Sequence, residues 1–255
     1  MSLRIGVDID GVLADFRTAF HLAARKSLNR DVRDVDDPKS SEQLDDRDVR
    51  RVWEYISRTT NWWMDLEPYE PDQVARLYDL TRAANWEVVF VTNRPASAGD
   101  SVQFQTQWWL ERQGFYLPAV LTVPGSRGEL ANALRLDVLI DDLLRNCIDV
   151  VSGSAAKAIL MLRDDDDTMK QHALNRGIGV VSTLRDALPV LERLHDEMPK
   201  RRGRLLRLTD WFKPAPAPGD TLPHNPRVLR PLTDAPQSSQ PPTSQLQTPK
   251  TEKSG

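Results

Sequence analysis

The stretch Val7-Asp8-Ile9-Asp10-Gly11-Val12-Leu13-Ala14-Asp15 closes the first apolar run of the chain, residues 4–7, with two carboxylates two positions apart and a glycine. A run that is short, aliphatic and free of polar alternation reads as a strand buried on both faces. The acids that follow project from its carboxyl edge, and Gly11 lets the chain turn sharply beyond them. Two acids so placed repel each other and lose hydration, so a divalent cation or a shared proton is needed to keep both there.

Three further runs of the same kind follow at residues 87–91, 119–122 and 137–140, with weaker ones at 158–162 and 179–181. Helical periodicity lies between them at 71–84, carried by Val74, Leu77, Leu80 and Ala84, and at 101–113, 129–136 and 183–194. Strand and helix therefore alternate. The expected fold is α/β, a Rossmann-like parallel sheet with right-handed crossovers and helices on both faces. Ligands of such sheets bind beyond the carboxyl ends of the strands. At those ends the second run closes on Thr92-Asn93-Arg94 and the fourth on Asp141-Asp142. Each residue taken singly is an ordinary cap or turn former. Together they place four carboxylates, a hydroxyl and a guanidinium on one predicted edge, an oxygen-rich set that suits magnesium.

The alternation breaks once, where about 80 residues separate the first two strands. This stretch has its own helical patterns at 16–28 and 48–58, the second with Val49, Val52, Trp53 and Ile56 on one face, and then Trp62, Trp63 and Tyr69. A small helical insert above the strand ends is the simplest account, with Trp53 in its core.

Composition narrows the function classes. The 255 residues carry a net charge of −3 with a pI near 5.9, so no field across the molecule favours nucleic acid or an anionic membrane. Ten of the 18 prolines fall in residues 213–255, which lack aromatic residues and read as a disordered tail. A basic segment, 197–212, contains Lys200-Arg201-Arg202-Gly203-Arg204 without interleaved aromatics and reads as a solvated helix end. One cysteine, Cys147, excludes an internal disulfide, and four scattered histidines give no zinc set. No segment has the apolar length of a signal peptide or a membrane span, so a reducing cytoplasm is the expected compartment.

With these residues in view, the sequence resembles the haloacid dehalogenase superfamily of phosphohydrolases and phosphotransferases. Asp8 and Asp10 in Asp8-Ile9-Asp10-Gly11-Val12-Leu13 match its first motif, Thr92 its second and Asp141-Asp142 its acidic fourth. The resemblance implies a core of residues 1–14 and 86–196, with residues 15–85 as a helical cap. It also implies that Asp8 is the nucleophile of an aspartyl-phosphate mechanism and Asp10 the general acid and base. Mg2+ would be held by Asp8, the Asp10 main-chain carbonyl, Asp141 and Asp142, and the phosphoryl oxygens by Thr92, the Asn93 backbone amide and Arg127. The third motif is normally a lysine, and Arg127, fourteen residues ahead of Asp141, stands at its spacing. Arginine keeps the charge in a wider, planar form, and Lys157 or Arg94 is an alternative source of it.

Within the superfamily, Asp10-Gly11-Val12-Leu13-Ala14-Asp15-Phe16 and the Trp62-Trp63 segment with Leu66 and Pro68 are similar to the 5'(3')-deoxyribonucleotidase branch. That likeness implies a nucleoside monophosphate as the small-molecule partner, its base stacked on Trp62 and Trp63. Two other readings stay open: a phosphatase for sugar phosphates or nucleic-acid 3'-phosphate ends, and a non-catalytic scaffold that retains the fold.

Overall fold

Six strands alternate with helices in the computed structural model, which describes residues 2–29 and 44–197. The basic cluster at 200–204 and the Pro-rich tail at 213–255 lie outside the described residues. The strands are β1 (Arg4–Asp8), β2 (Glu87–Thr92), β3 (Ala119–Thr122), β4 (Val138–Asp141), β5 (Lys157–Met161) and β6 (Gly179–Val181). All pairings are parallel, in the order β3-β2-β1-β4-β5-β6. This is the doubly wound Rossmann arrangement, in which the strand order reverses at β1.

Three strands run one residue past their apolar runs and end on the acid or hydroxyl itself. The ladder explains this. Asp8 still pairs with Val91, Thr92 with Thr122 and Asp141 with Leu160, so the polar residue keeps its backbone bonds while its side chain reaches the sheet edge. Register then aligns the chemistry: β1 pairs with β2 at Asp8 and with β4 at Val7, so the ends of the three strands lie side by side.

The sheet separates two apolar layers. Val138, Ile140, Ile159 and Met161 join one core cluster and Leu139, Ala158 and Leu160 the other, as the period of two requires. The second cluster is closed by α5 (Arg127–Ala133), α6 (Leu144–Gly153) and α7 (Asp167–Leu174), through Ala131, Cys147, Val150 and Ala173. Helix α6 spaces Leu144, Cys147, Ile148 and Val151 on one face, and Asp166 caps α7, but neither helix is expected from the apolar runs. The first has no side-chain cap at Leu143, and the second is eight residues long with Ala173 alone buried.

Between β1 and β2 the chain forms α1 (Phe16–Leu28), α2 (Asp46–Arg58), a 3-10 turn (Trp62–Asp65) and α3 (Pro71–Ala84). Asp15 caps α1 and Asp45 caps α2, each accepting from the amide three residues on. Helix α3 enters on Pro71 and packs against α8 (Leu184–Glu197). The outgoing and returning connections run together: the Asp15 amide donates to the Glu67 carbonyl at 2.8 Å and the Tyr69 amide to the Leu13 carbonyl at 2.9 Å. The remaining helix, α4 (Val102–Arg112), lies against β3 and the Trp62–Asp65 turn.

Gly11 bears two constraints at once. Its φ is +83°, and a Cβ there would stand 2.1 Å from Asp142 Oδ2 and 3.0 Å from Asp142 Cβ. Gly177 has φ +73° with open space around it. Gly177→Ala is therefore expected to cost about 1 kcal/mol from backbone strain alone and Gly11→Ala about 2–4 kcal/mol, because the Asp142 side chain must also move. Denaturant unfolding of both variants checks this; equal losses would show that Asp142 yields freely.

Candidate active site

Asp8, at the end of β1, keeps only 10% of its side chain exposed. Asp141, at the end of β4 beside it, is fully buried and held by the Leu143 amide at 2.9 Å and by Asn146 Nδ2, 3.0 Å from each carboxylate oxygen. Asp142 follows, and one oxygen from each of Asp8, Asp141 and Asp142 lies within 4.8 Å of the others. Thr92, buried at the end of β2, places its hydroxyl 3.4 Å from Asp10 Oδ2. Asn93 is exposed on the same edge. The strand ends thus bring Asp8, Asp10, Thr92, Asp141 and Asp142 together.

Arg127 opens α5, whose first turn is anchored from α6: the Asp149 carboxylate accepts from Ser126 Oγ at 2.8 Å and from the Gly128 amide at 2.9 Å. The buried guanidinium spans two acids, with Nη2 3.4 Å from Asp8 Oδ1 and Nε 3.5 Å from Asp141 Oδ2, while Nη1 donates to the Val123 carbonyl at 3.3 Å. Charge-assisted bonds are usually 2.7–2.9 Å, so the hydrogen bond that Arg127 Nη2 donates to Asp8 is long and Nε makes no hydrogen bond to Asp141. Its Nε is a buried donor without a hydrogen-bond acceptor among the described residues. Of the alternative sources of positive charge, one is remote and the other already engaged. Lys157 is exposed and pairs with Val138 at the opposite end of β4 from Asp141, and Arg94 is committed to Asp10.

Trp62 and Trp63, expected to offer faces to a base, are buried at 9% and 1% exposure. The Trp63 indole donates to the Pro95 carbonyl at 3.0 Å, and the Phe16 ring lies nearly parallel to it at 6.0 Å. The tryptophans therefore support an aromatic layer whose partly exposed members are Phe16, Phe20 and Trp53. Period reasoning saw the aromatic content of this segment but could not assign its exposed side.

Four supporting residues escaped notice in the sequence: Thr106, Asn146, Asp149 and Arg163. Arg163, just past β5, donates to the Gly11 carbonyl at 3.0 Å and the Val12 carbonyl at 2.6 Å, and its guanidinium lies 3.8 Å from the Tyr69 ring centroid. It also approaches Glu70, which accepts from the Leu184 and Arg185 amides at the start of α8. An arginine after an apolar strand is a faint signal by itself; here it pins both connections of the insert.

Electrostatics mark the acids as an incomplete set. Burial, then the neighbouring Asp141 and Asp10 charges, push Asp8 well above the usual carboxylate range, against the pull of Arg127. Burial and Asp141 push Asp142 up to about 7. Burial also raises Asp141, although Leu143, Asn146 and Arg127 oppose it. Three hard oxygen donors left with excess negative charge fit a divalent cation such as magnesium.

The parallel sheet bearing these acids at the ends of β1 and β4 has the fold of haloacid dehalogenase-like hydrolases. The fold is shared with a hydrolase of that superfamily from Deinococcus radiodurans R1, solved with bound phosphate and sodium, at TM-score 0.51 and 12% identity over 76% of this chain and 96% of that one. A haloacid dehalogenase-like family hydrolase from Streptococcus pneumoniae is also similar, at TM-score 0.49 and 13% identity over 74% and 98%. Among curated proteins none matches significantly. Residues 2–178 match the family model for the 5' nucleotidase, deoxy (pyrimidine), cytosolic type C protein, and the chain belongs to that family. It is a phosphatase of the 5'-nucleotidase kind. Among the described residues no helix is long and apolar enough to cross a membrane.

The raised carboxyls have a consequence for stability. Each is protonated in the folded protein at a pH where the unfolded chain, near pKa 4, is already ionised. The contribution of Asp142 is therefore full below about pH 4, declines above it and is lost as pH rises through about 7. In chelated protein, Asp142→Asn is expected to raise Tm most at pH 8, less at pH 5, and not at all below about pH 4. Mg2+ is expected to raise the wild-type Tm more at pH 8 than at pH 5. Thermal unfolding at the two pH values checks both, and a variant no more stable than wild type at pH 8 would remove the repulsion from the account.

Proposed function

We propose that this chain hydrolyses the phosphomonoester of (deoxy)nucleoside 5'-monophosphates through an aspartyl-phosphate on Asp8, with Mg2+ as cofactor. The observation that carries the reading is the convergence of Asp8, Asp141 and Asp142 within 4.8 Å at the edge where Arg127 and Thr92 also end. Phosphoryl transfer asks mainly for positioning and for neutralised charge on the equatorial oxygens, and this set supplies both.

In this reading Asp8 attacks phosphorus while Asp10 protonates the departing sugar oxygen; Asp10 then takes a proton from the water that releases phosphate. Thr92, the Asn93 amide and Arg127 hold the phosphoryl oxygens. The acceptor-lacking Nε of Arg127 and its long contacts to Asp8 and Asp141 support that role, because a phosphoryl oxygen would supply what the two carboxylates do not. Magnesium held by Asp8, the Asp10 carbonyl, Asp141 and Asp142 would screen the nucleophile from the substrate's charge. The helical insert that holds α1, α2 and α3 acts as a cap that limits water at the reaction.

For the base, the partly exposed rings of Phe16, Phe20 and Trp53 are the better platform, with Trp62 and Trp63 packed beneath. Stacking tolerates any base and contributes about 1–3 kcal/mol per contact.

The decisive measurement is steady-state hydrolysis across deoxynucleoside monophosphates, ribonucleotides and sugar phosphates. Deoxynucleotides are expected to have the highest kcat/KM, and Asp8→Asn to abolish turnover without lowering Tm. Chelation should remove activity and Mg2+ restore it; turnover that survives thorough chelation would sink the cofactor assignment. Trp53→Ala is expected to raise KM about tenfold for nucleotides while sparing 4-nitrophenyl phosphate. An equal loss on both would place the base elsewhere.

A further inference from the structure

We propose that Arg94 is a positioning residue that fixes the Asp10 carboxylate and ties its placement to the insert through Trp63. The proposal rests on the assignment of Asp10 as the group that protonates the leaving oxygen. The Arg94 side chain is fully buried, and its guanidinium is engaged on three sides. Nε and Nη2 form a fork on Asp10, at 2.9 Å to Oδ2 and 2.7 Å to Oδ1. Nη1 donates to the buried Thr106 hydroxyl of α4 at 3.0 Å, and the guanidinium carbon lies 4.8 Å from the Trp63 ring centroid. Trp63 is itself fastened: its amide donates to Gln105 Oε1 at 3.1 Å and its indole to the Pro95 carbonyl. Arg94 is thereby committed to Asp10, whereas Arg127 stands between Asp8 and Asp141.

The fork has a mechanical reason. Asp10 turns on two side-chain torsions beside Asp8 and Asp142, whose shifts both register its repulsion. Without a counter-charge it would rotate away from them and toward water. A bidentate guanidinium fixes the carboxylate plane as well as its position, which a point charge does not. The Trp63 contact makes the register of that fork depend on how the insert is seated. Sequence placed Arg94 at the strand end as an alternative source of the third motif's charge; the geometry gives it to Asp10.

Leaving-group dependence tests this. An alkoxide leaving group needs its proton during bond breaking, while 4-nitrophenolate leaves without one, so a disturbed Asp10 harms the first far more. For Arg94→Lys, kcat on a deoxynucleoside monophosphate should fall about a hundredfold and kcat on 4-nitrophenyl phosphate less than tenfold. Thr106→Val, which removes one anchor of the fork and preserves packing volume, should show the same preference at about three- to tenfold. It carries the test should the Arg94 variant not fold. Asp10→Asn is the reference and should show the largest preference. If Asp10→Asn loses both esters equally, the proton-donor assignment fails and takes the proposal with it. If Asp10→Asn shows the preference but a folded Arg94→Lys or Thr106→Val loses both esters equally, or loses neither, the positioning role of Arg94 is overturned while the site assignment stands.

Discussion

Like-charge repulsion among Asp8, Asp10, Asp141 and Asp142 is the constraint around which this end of the molecule is organised. Two unit charges about 4 Å apart cost on the order of 4 kcal/mol at the effective dielectric of a protein surface, and here several such pairs are partly buried. Three arginines from three different segments answer them. Arg127 reaches between Asp8 and Asp141, Arg94 takes both oxygens of Asp10, and Arg163 opposes the rise at Asp142. Leu143 and Asn146 hold Asp141 by neutral hydrogen bonds. Burial outweighs these partners: it is the largest cause by which Asp8, Asp141 and Asp142 all remain shifted toward their protonated forms, with like-charge repulsion adding to it at Asp8 and Asp142. A site left negative and lined by oxygen is prepared for a cation and for the transferred phosphoryl group beside it.

The same residues that steady the acids also steady the insert. Arg163 binds the carbonyls of Gly11 and Val12 on the outgoing connection and covers Tyr69 on the returning one. Arg94 lies between Asp10 and Trp63. Buried ion pairs seldom add much net stability, but breaking one leaves a charge without its partner. Seating of the insert and orientation of the acids are therefore linked through two guanidinium groups. The aromatic layer of Phe16, Trp53, Trp62 and Trp63 continues from there into the main core, so insert and sheet share one apolar cluster.

Legibility differed with the kind of information each feature needs. The strand ends were readable because a buried parallel strand is a local pattern, an apolar run closed by a polar residue, and a parallel register brings such ends to one edge. Asp8, Asp10, Thr92 and Asp141 were found this way, and the ladder carried three strands one residue beyond the apolar runs. Helix α7 was not, because an eight-residue helix with one buried side chain leaves little periodic signal, whereas α6 does space Leu144, Cys147, Ile148 and Val151 on one face and lacks only a side-chain cap to mark its start. The exposed side of the aromatic segment was illegible too: Trp62 and Trp63 occupy a short 3-10 turn, where no period of 3.6 separates an inner from an outer face.

The α/β alternation, the central acidic strand end and the identity of the acids follow from composition and spacing within single segments and so were legible before any fold was known. Tertiary structure alone decided which guanidinium meets which carboxylate. Arg94 and Arg127 are 33 residues apart and chemically identical. One caps β2 and points its fork at Asp10 against Thr106; the other opens α5 and reaches Asp8 and Asp141. A side chain's partner is set by distances between elements that only packing establishes, and no local pattern carries those distances.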